Sequence, residues 1–108
     1  MTTFDEREQN FEKKFKHDQE LRFKTIARRN KLLGLWAAGR LGLGRAAAEA
    51  YAKTVVDAEF GKPGGAGVRE KVLKDLDAKG ISTSQAEVER EMEHLLATAK
   101  EQLLKQGT

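Results

Sequence analysis

The chain has 108 residues, 39% apolar and 34% charged, enough for one small domain that buries about 65% of the surface its unfolded form exposes. It has no cysteine, which excludes a disulfide framework, a thiolate zinc site and a cysteine nucleophile, and its only two histidines, His17 and His94, lie far apart in the sequence. The net charge of +3 suits an anionic partner, while no apolar run approaches the ~20 residues that span a bilayer and Met1-Thr2-Thr3-Phe4-Asp5-Glu6 is unlike a secretory signal, so a cytoplasmic protein is expected.

The charge is unevenly placed. Residues 1–20 hold four basic and six acidic side chains, whereas residues 21–45 hold seven basic ones (Arg22, Lys24, Arg28, Arg29, Lys31, Arg40, Arg45) and no acid. Residues 46–81 are balanced, and residues 82–108 carry three basic against five acidic groups.

In the first segment eleven of the sixteen residues 5–20 are charged or histidine. Phe4, Phe11 and Phe15, spaced by seven and then four, fall on one stripe of a helix. Thr3 with Glu6 has the form of a capping box, and Glu12/Lys16, Asp18/Arg22 and Glu20/Lys24 are acid-before-base pairs at i,i+4. Each pair is worth only ~0.2–0.5 kcal/mol, so residues 1–17 read as a flexible, nascent helix too polar to join a core. Such a segment orders on a partner, a few aromatic anchors supplying affinity and the charges the register.

From Asp18 to Ala38 the helical period strengthens through Leu21, Thr25, Ile26, Arg29, Leu32, Leu33, Leu35 and Trp36. Gly34 inside it costs about 1 kcal/mol against alanine, which points to a close helix crossing or room for a ring. Three glycines in Gly39–Gly44 end that helix. A second, from Arg45 to Phe60, turns Ala48, Tyr51, Ala52, Val55 and Val56 inward. Gly61–Gly67 holds the only proline and four glycines and reads as a flexible loop. A third helix, Val68 to Ala78, buries Val68, Val72, Leu73 and Leu76 and stops at Gly80. Ser82 with Gln85, or Ser84 with Glu87, can cap the last helix, whose stripe is Val88, Met92, Leu95, Leu96, Ala99 and Leu103. No segment alternates like a strand, so the expected fold is all-α: a four-helix bundle over residues 18–108, with residues 1–17 as a flexible, nascent-helical appendage.

Chemistry-bearing patterns are sparse. Gly39–Gly44 and Gly61–Gly67 resemble phosphate loops only in glycine content, since neither follows a strand; the start of the second helix, beside Arg45, could still hold a phosphate on backbone amides. Glu87, Glu89, Glu91 and Glu93 alternate by two and so point to different helix faces, a solvated surface and no metal site. Ser82 and Ser84 are caps, so no active site is assembled and no enzyme is expected. Arg28-Arg29-Asn30-Lys31 is the densest basic cluster, read as a solvated face beside the core. Its acidic flanks and the lack of interleaved aromatics speak against DNA or RNA. His17, where the appendage meets the bundle, could tune docking near neutral pH.

Phe4-Asp5-Glu6-Arg7-Glu8, Phe11-Glu12, Lys14-Phe15, His17-Asp18, Glu20 and Phe23, followed by Ala27-Arg28-Arg29-Asn30-Lys31-Leu32-Leu33-Gly34-Leu35-Trp36-Ala37-Ala38 and Tyr51-Ala52 with Val55-Val56, closely resemble the ζ subunit of α-proteobacterial F-type ATP synthases. Through about Phe60 the match is specific. Beyond it the likeness is one of pattern, and Gly61–Gly67 replaces an acidic connection. The resemblance implies a regulatory inhibitor whose N-terminal helix inserts at a catalytic interface of the ATPase head, among the α, β and γ subunits, and blocks ATP hydrolysis. It implies a monomer when free, peripheral at the inner membrane through the synthase. Phe4, Phe11 and Phe15 would then be anchors, with Arg7, Glu8, Glu12, Lys13 and Lys14 fixing register. No cofactor is required, but the resemblance also implies an adenine-nucleotide site for ADP or ATP as regulatory ligand. Charge nominates Arg28, Arg29, Lys31 and Arg45 for its phosphates, with Trp36 nearby. The competing reading is a helical module that senses adenine nucleotides or binds nucleic acid without catalysis.

Overall fold

The structure, a computed structural model, describes the backbone of residues 3–106 and the side chains of residues 17–106. It has four helices, α1 (Thr3–Arg40), α2 (Arg45–Gly61), α3 (Ala66–Ala78) and α4 (Gln85–Lys105), and no strand among the described residues, so the all-α expectation holds. The side chains of Phe4, Arg7, Glu8, Phe11, Glu12, Lys13, Lys14 and Phe15 lie outside the described residues, as do the Thr3 capping box and the Glu12/Lys16 pair.

Chain punctuation explains the boundaries. α1 and α3 end alike: Gly42 and Gly80 take left-handed backbone (φ 75° and 77°), and the next amide reaches back five residues, Leu43 N to Ala38 O at 3.0 Å and Ile81 N to Leu76 O at 2.9 Å. At the start of α4, Ser84 Oγ accepts from Glu87 N at 3.1 Å, which selects the second of the two expected capping boxes.

α1 is the central element, packing on α2, α3 and α4, while α2 and α4 lie on a diagonal and do not meet. At the α1–α2 crossing a Cβ added to Gly34 would stand 2.6 Å from Ala52 Cα, so the expected close approach is real and glycine is there for want of space. Around it Leu33, Ala37, Val55, Val68, Val72, Leu76, Val88 and Met92 form one buried cluster flanked by Trp36, Tyr51, Leu73 and Leu95. Tyr51 Oη donates to Asp75 Oδ2 at 2.8 Å, and Lys71 Nζ both binds that oxygen at 3.1 Å and sits over the Tyr51 ring, tying α2 to α3.

Three expectations are corrected. The Arg28–Lys31 cluster is not wholly a solvated face: Asn30 is 1% exposed and accepts from Arg29 Nε at 3.0 Å, while Leu32 and Leu35 are only half-buried. The stripe of α1 runs through Thr25, Asn30, Leu33 and Ala37, a polar choice made tolerable because Thr25 Oγ1 donates to Leu21 O at 2.6 Å. Gly61–Gly67 is a tight turn and not a loose loop: Gly67 N donates to Lys62 O at 3.0 Å, and a Cβ on Gly67 would collide with the Ala58 carbonyl. The pairs Asp18/Arg22 and Glu20/Lys24 do not form. Exposed pairs of this kind gain little against side-chain entropy, and the i,i+4 pairs present are Lys71–Asp75 and Glu101–Lys105.

Gly34→Ala should force α1 and α2 apart and destabilise the fold by ~1–3 kcal/mol, whereas Gly39→Ala, with nothing within 4 Å, should stabilise it by a few tenths of a kcal/mol up to about 1; thermal denaturation of both reads the opposite signs. Tyr51 is the only tyrosine, and burial first, then the Asp75 hydrogen bond and the Asp75 charge, push its phenol well above the usual range. Its folded pKa being raised, its contribution is fully present below the unfolded value of about 10 and is lost as pH rises from there toward the folded value. Alkaline titration should therefore show no tyrosinate absorbance at about pH 10 until the fold opens, and Tyr51→Phe should flatten the loss of stability above that pH.

Candidate functional site

Burial along α1 fades toward its N-terminal side. Thr25 is the first fully buried described side chain, and between His17 and Lys24 only Leu21 is even half-buried. α4 runs antiparallel alongside: Arg40 meets Glu87 near its start at 2.6 Å, and Arg28 Nη1 and Nη2 reach Gln102 Oε1 at 3.0 Å and Gln106 Oε1 at 3.3 Å near its end. α1 and the last turns of α4 thus form a two-helix pair with open clefts on both sides.

One cleft, about 550 Å³, lies between α1, Val56 of α2 and Leu103 of α4. His17, Lys24, Arg28 and Lys31 line it against a single carboxylate, Glu20, and Phe23 stands at its side, 66% exposed. Lys31 has a loose contact with Glu49 at 3.9 Å, and Arg28 meets only the neutral amides of Gln102 and Gln106, so the cleft keeps its positive character. A second cleft, about 460 Å³, lies across α1 between Leu21, Ile26, Leu96 and Leu104, with Arg22, Arg29 and Lys100 at its edges.

The five nucleotide candidates are therefore not gathered together. Arg28 and Lys31 share the first cleft. Arg29 borders the second and turns inward: its guanidinium comes within 3.6 Å of where a Gly65 Cβ would stand. Burial lowers its pKa from the usual arginine range, and the Glu59 carboxylate partly restores it. That carboxylate in turn accepts from Gly64 N at 3.0 Å and so holds the α2–α3 turn, while its other oxygen is enclosed without a hydrogen-bond partner; Arg29 feels its charge without pairing with it and donates instead to Asn30. Trp36 packs against the core under Arg40, whose guanidinium carbon is 4.6 Å from the ring centre. Arg45 stands exposed at the α2 N-terminus and lines neither cleft. Sequence reasoning passed over Phe23 and Lys24. Their signal was the three- and four-residue spacing of Glu20, Lys24, Ala27 and Lys31, which puts one stripe beside Arg28.

The described residues hold no constellation for catalysis. The Thr25, Thr54 and Thr98 hydroxyls donate to carbonyls of their own helices, Ser84 caps α4, and the Tyr51 phenol is held by Asp75. Among these residues no group of histidines and carboxylates could hold a metal ion, and no helix is long and apolar enough to cross a membrane. The glutamates of α4 divide as expected, Glu87 pairing with Arg40 and Glu89 with Arg69 at 3.2 Å.

Comparison with known proteins agrees with this picture. The family model described as ATPase inhibitor subunit zeta matches residues 1–102. A protein whose structure was determined by NMR in solution is 48% identical, with a TM-score of 0.71, over 80% of this chain and 98% of its own. Among curated proteins none matches. With nearly its whole length matched, the chain belongs to the family of ATPase inhibitor zeta subunits, a regulatory and not a catalytic family whose members act on an ATP synthase.

Proposed function

We propose that this inhibitor blocks ATP hydrolysis by inserting the N-terminal part of α1 at a catalytic interface of the ATPase head, where α, β and γ subunits meet. The observation that carries the reading is the course of α1. It begins at Thr3, yet its described side chains join the core only from Leu21 onward, and residues 17–20 before it are all exposed. That segment is highly charged and carries Phe4, Phe11 and Phe15 on one helical stripe, a composition that gains its order from a partner. Phe4, Phe11 and Phe15 serve as anchors, and Arg7, Glu8, Glu12, Lys13 and Lys14 set register. In this reading the bundle, residues 18–108, is a monomeric handle, and the protein is cytoplasmic, peripheral at the inner membrane through the synthase.

ADP or ATP is the regulatory ligand in this reading, and the first cleft is its best seat. Lys24, Arg28 and Lys31 offer charge-assisted donors to phosphates, and exposed Phe23 offers a face for the base. Trp36 and Arg45 are too dispersed to share that seat, and Arg29 borders the other cleft and donates to Asn30.

Deleting residues 1–17 should leave the helical spectrum and cooperative unfolding of the bundle in place while abolishing inhibition of ATP hydrolysis by the isolated head; a truncated protein that still inhibits fully refutes insertion. In NMR titrations with ADP, shifts should centre on Phe23, Arg28 and Lys31, and Arg28→Ala with Lys31→Ala should weaken binding roughly tenfold or more, as loss of charge-assisted hydrogen bonds requires. Shifts centred on Trp36 and Arg45 would place the site there instead. Added ATP should remain unhydrolysed throughout.

A further inference from the structure

The second cleft is a different kind of surface. Its floor is apolar, built from half-buried Leu21, Ile26 and Leu96, and Leu104 beside them is 73% exposed. These side chains are contiguous, Leu21 and Ile26 of α1 facing Leu96 and Leu104 of α4. Leu104 lies eight residues beyond Leu96 on α4, about 12 Å of helix or two turns, the length over which an amphipathic helix presents its i and i+7 anchors. Arg22 and Lys100 edge the floor without ion-pair partners among the described residues, and Asp18 is the single carboxylate there. Among the described residues neither cation is neutralised within the bundle, which leaves both open to an anionic partner.

We infer that this groove is a second docking surface, and that its occupant is an acidic amphipathic helix on the outside of the ATPase head. Charge complementarity selects the occupant, since an apolar stripe flanked by Asp and Glu satisfies both the floor and the unpaired Arg22 and Lys100. Position selects the same partner. The groove opens within two turns of His17 on the helix that carries the inhibitory segment, so a head that takes the segment brings its own surface to the groove. The inference rests on the reading of this chain as a plug of that head. It adds division of labour: the segment decides whether hydrolysis stops, and the groove decides at what concentration. Two weak sites on one chain gain from each other's effective concentration.

The test uses the full chain and the isolated ATPase head. Arg22→Glu with Lys100→Glu, both at exposed positions, should raise the half-inhibitory concentration at least tenfold at low salt, remove most of its salt dependence, and leave inhibition complete at saturation. An unchanged half-inhibitory concentration overturns the groove whatever the segment does. Should deletion of residues 1–17 leave inhibition intact while the charge reversal still weakens it, insertion fails and the groove stands. Because the chain has no cysteine, Leu104→Cys gives one position for a photocrosslinker. Crosslinks to an acidic helix of the head are expected; crosslinks confined to a second copy, or to the chain's own residues 1–17, overturn the proposal.

Discussion

At Gly34 the backbone of α1 approaches α2 so closely that one methyl group would meet Ala52 Cα at 2.6 Å and Val55 Cβ at 3.3 Å. Two small residues in register let the helices touch along their backbones, and dispersion between closely packed atoms replaces what larger side chains would have supplied. The rest of the bundle is arranged about that contact. It brings Leu33 and Ala37 beside Val55, and α3 then lays Val68, Val72 and Leu76 over them while α4 closes the other side with Val88 and Met92. With α1 as the hub, α2 and α4 are held apart on a diagonal, and the basic cleft between Val56 and Leu103 is the space they leave.

The basic block of residues 21–45 divides by task once folded. Arg40 joins α1 to α4 through Glu87 and covers Trp36, and Arg29, half-buried beside the α2–α3 turn, donates to the core residue Asn30. These are structural cations. Arg22, Lys24, Arg28 and Lys31 lie closer to the N-terminal end of α1, where no buried carboxylate answers them. A field so placed speeds and orients encounter with an acidic surface more than it strengthens a final complex.

Much of this was legible in the residues. Glycine clusters at Gly39–Gly44 and Gly80 and the serine at Ser84 marked helix ends, because backbone sterics and unsatisfied amides act locally and leave local signatures. The stripes of α3 and α4 were equally clear. What could not be read was set by partners remote in sequence. Asn30 looked like part of a charged face, and only the neighbouring Arg29 side chain and the helices packed over α1 make it a core residue. Gly65 and Gly67 looked like slack in the chain, when each is confined by a group far along it or across the turn, Met92 and the Ala58 carbonyl. The separation of the nucleotide candidates is of the same origin: their types were plain, but which face each took depended on helix rotation.

The tight α2–α3 turn has a consequence for how the family can vary. A helix rotates about 100° per residue, so the number of residues between Gly61 and Ala66 sets the rotational phase of α3. Adding one would put Lys71 and Asp75, and removing one would put Arg69 and Asp77, where the core now takes Val68, Val72 and Leu76. Gly64 and Gly65 hold positive φ and Gly67 has no room for a Cβ, so glycines and length in this connection are set together, and a change of length must come in steps that restore the phase.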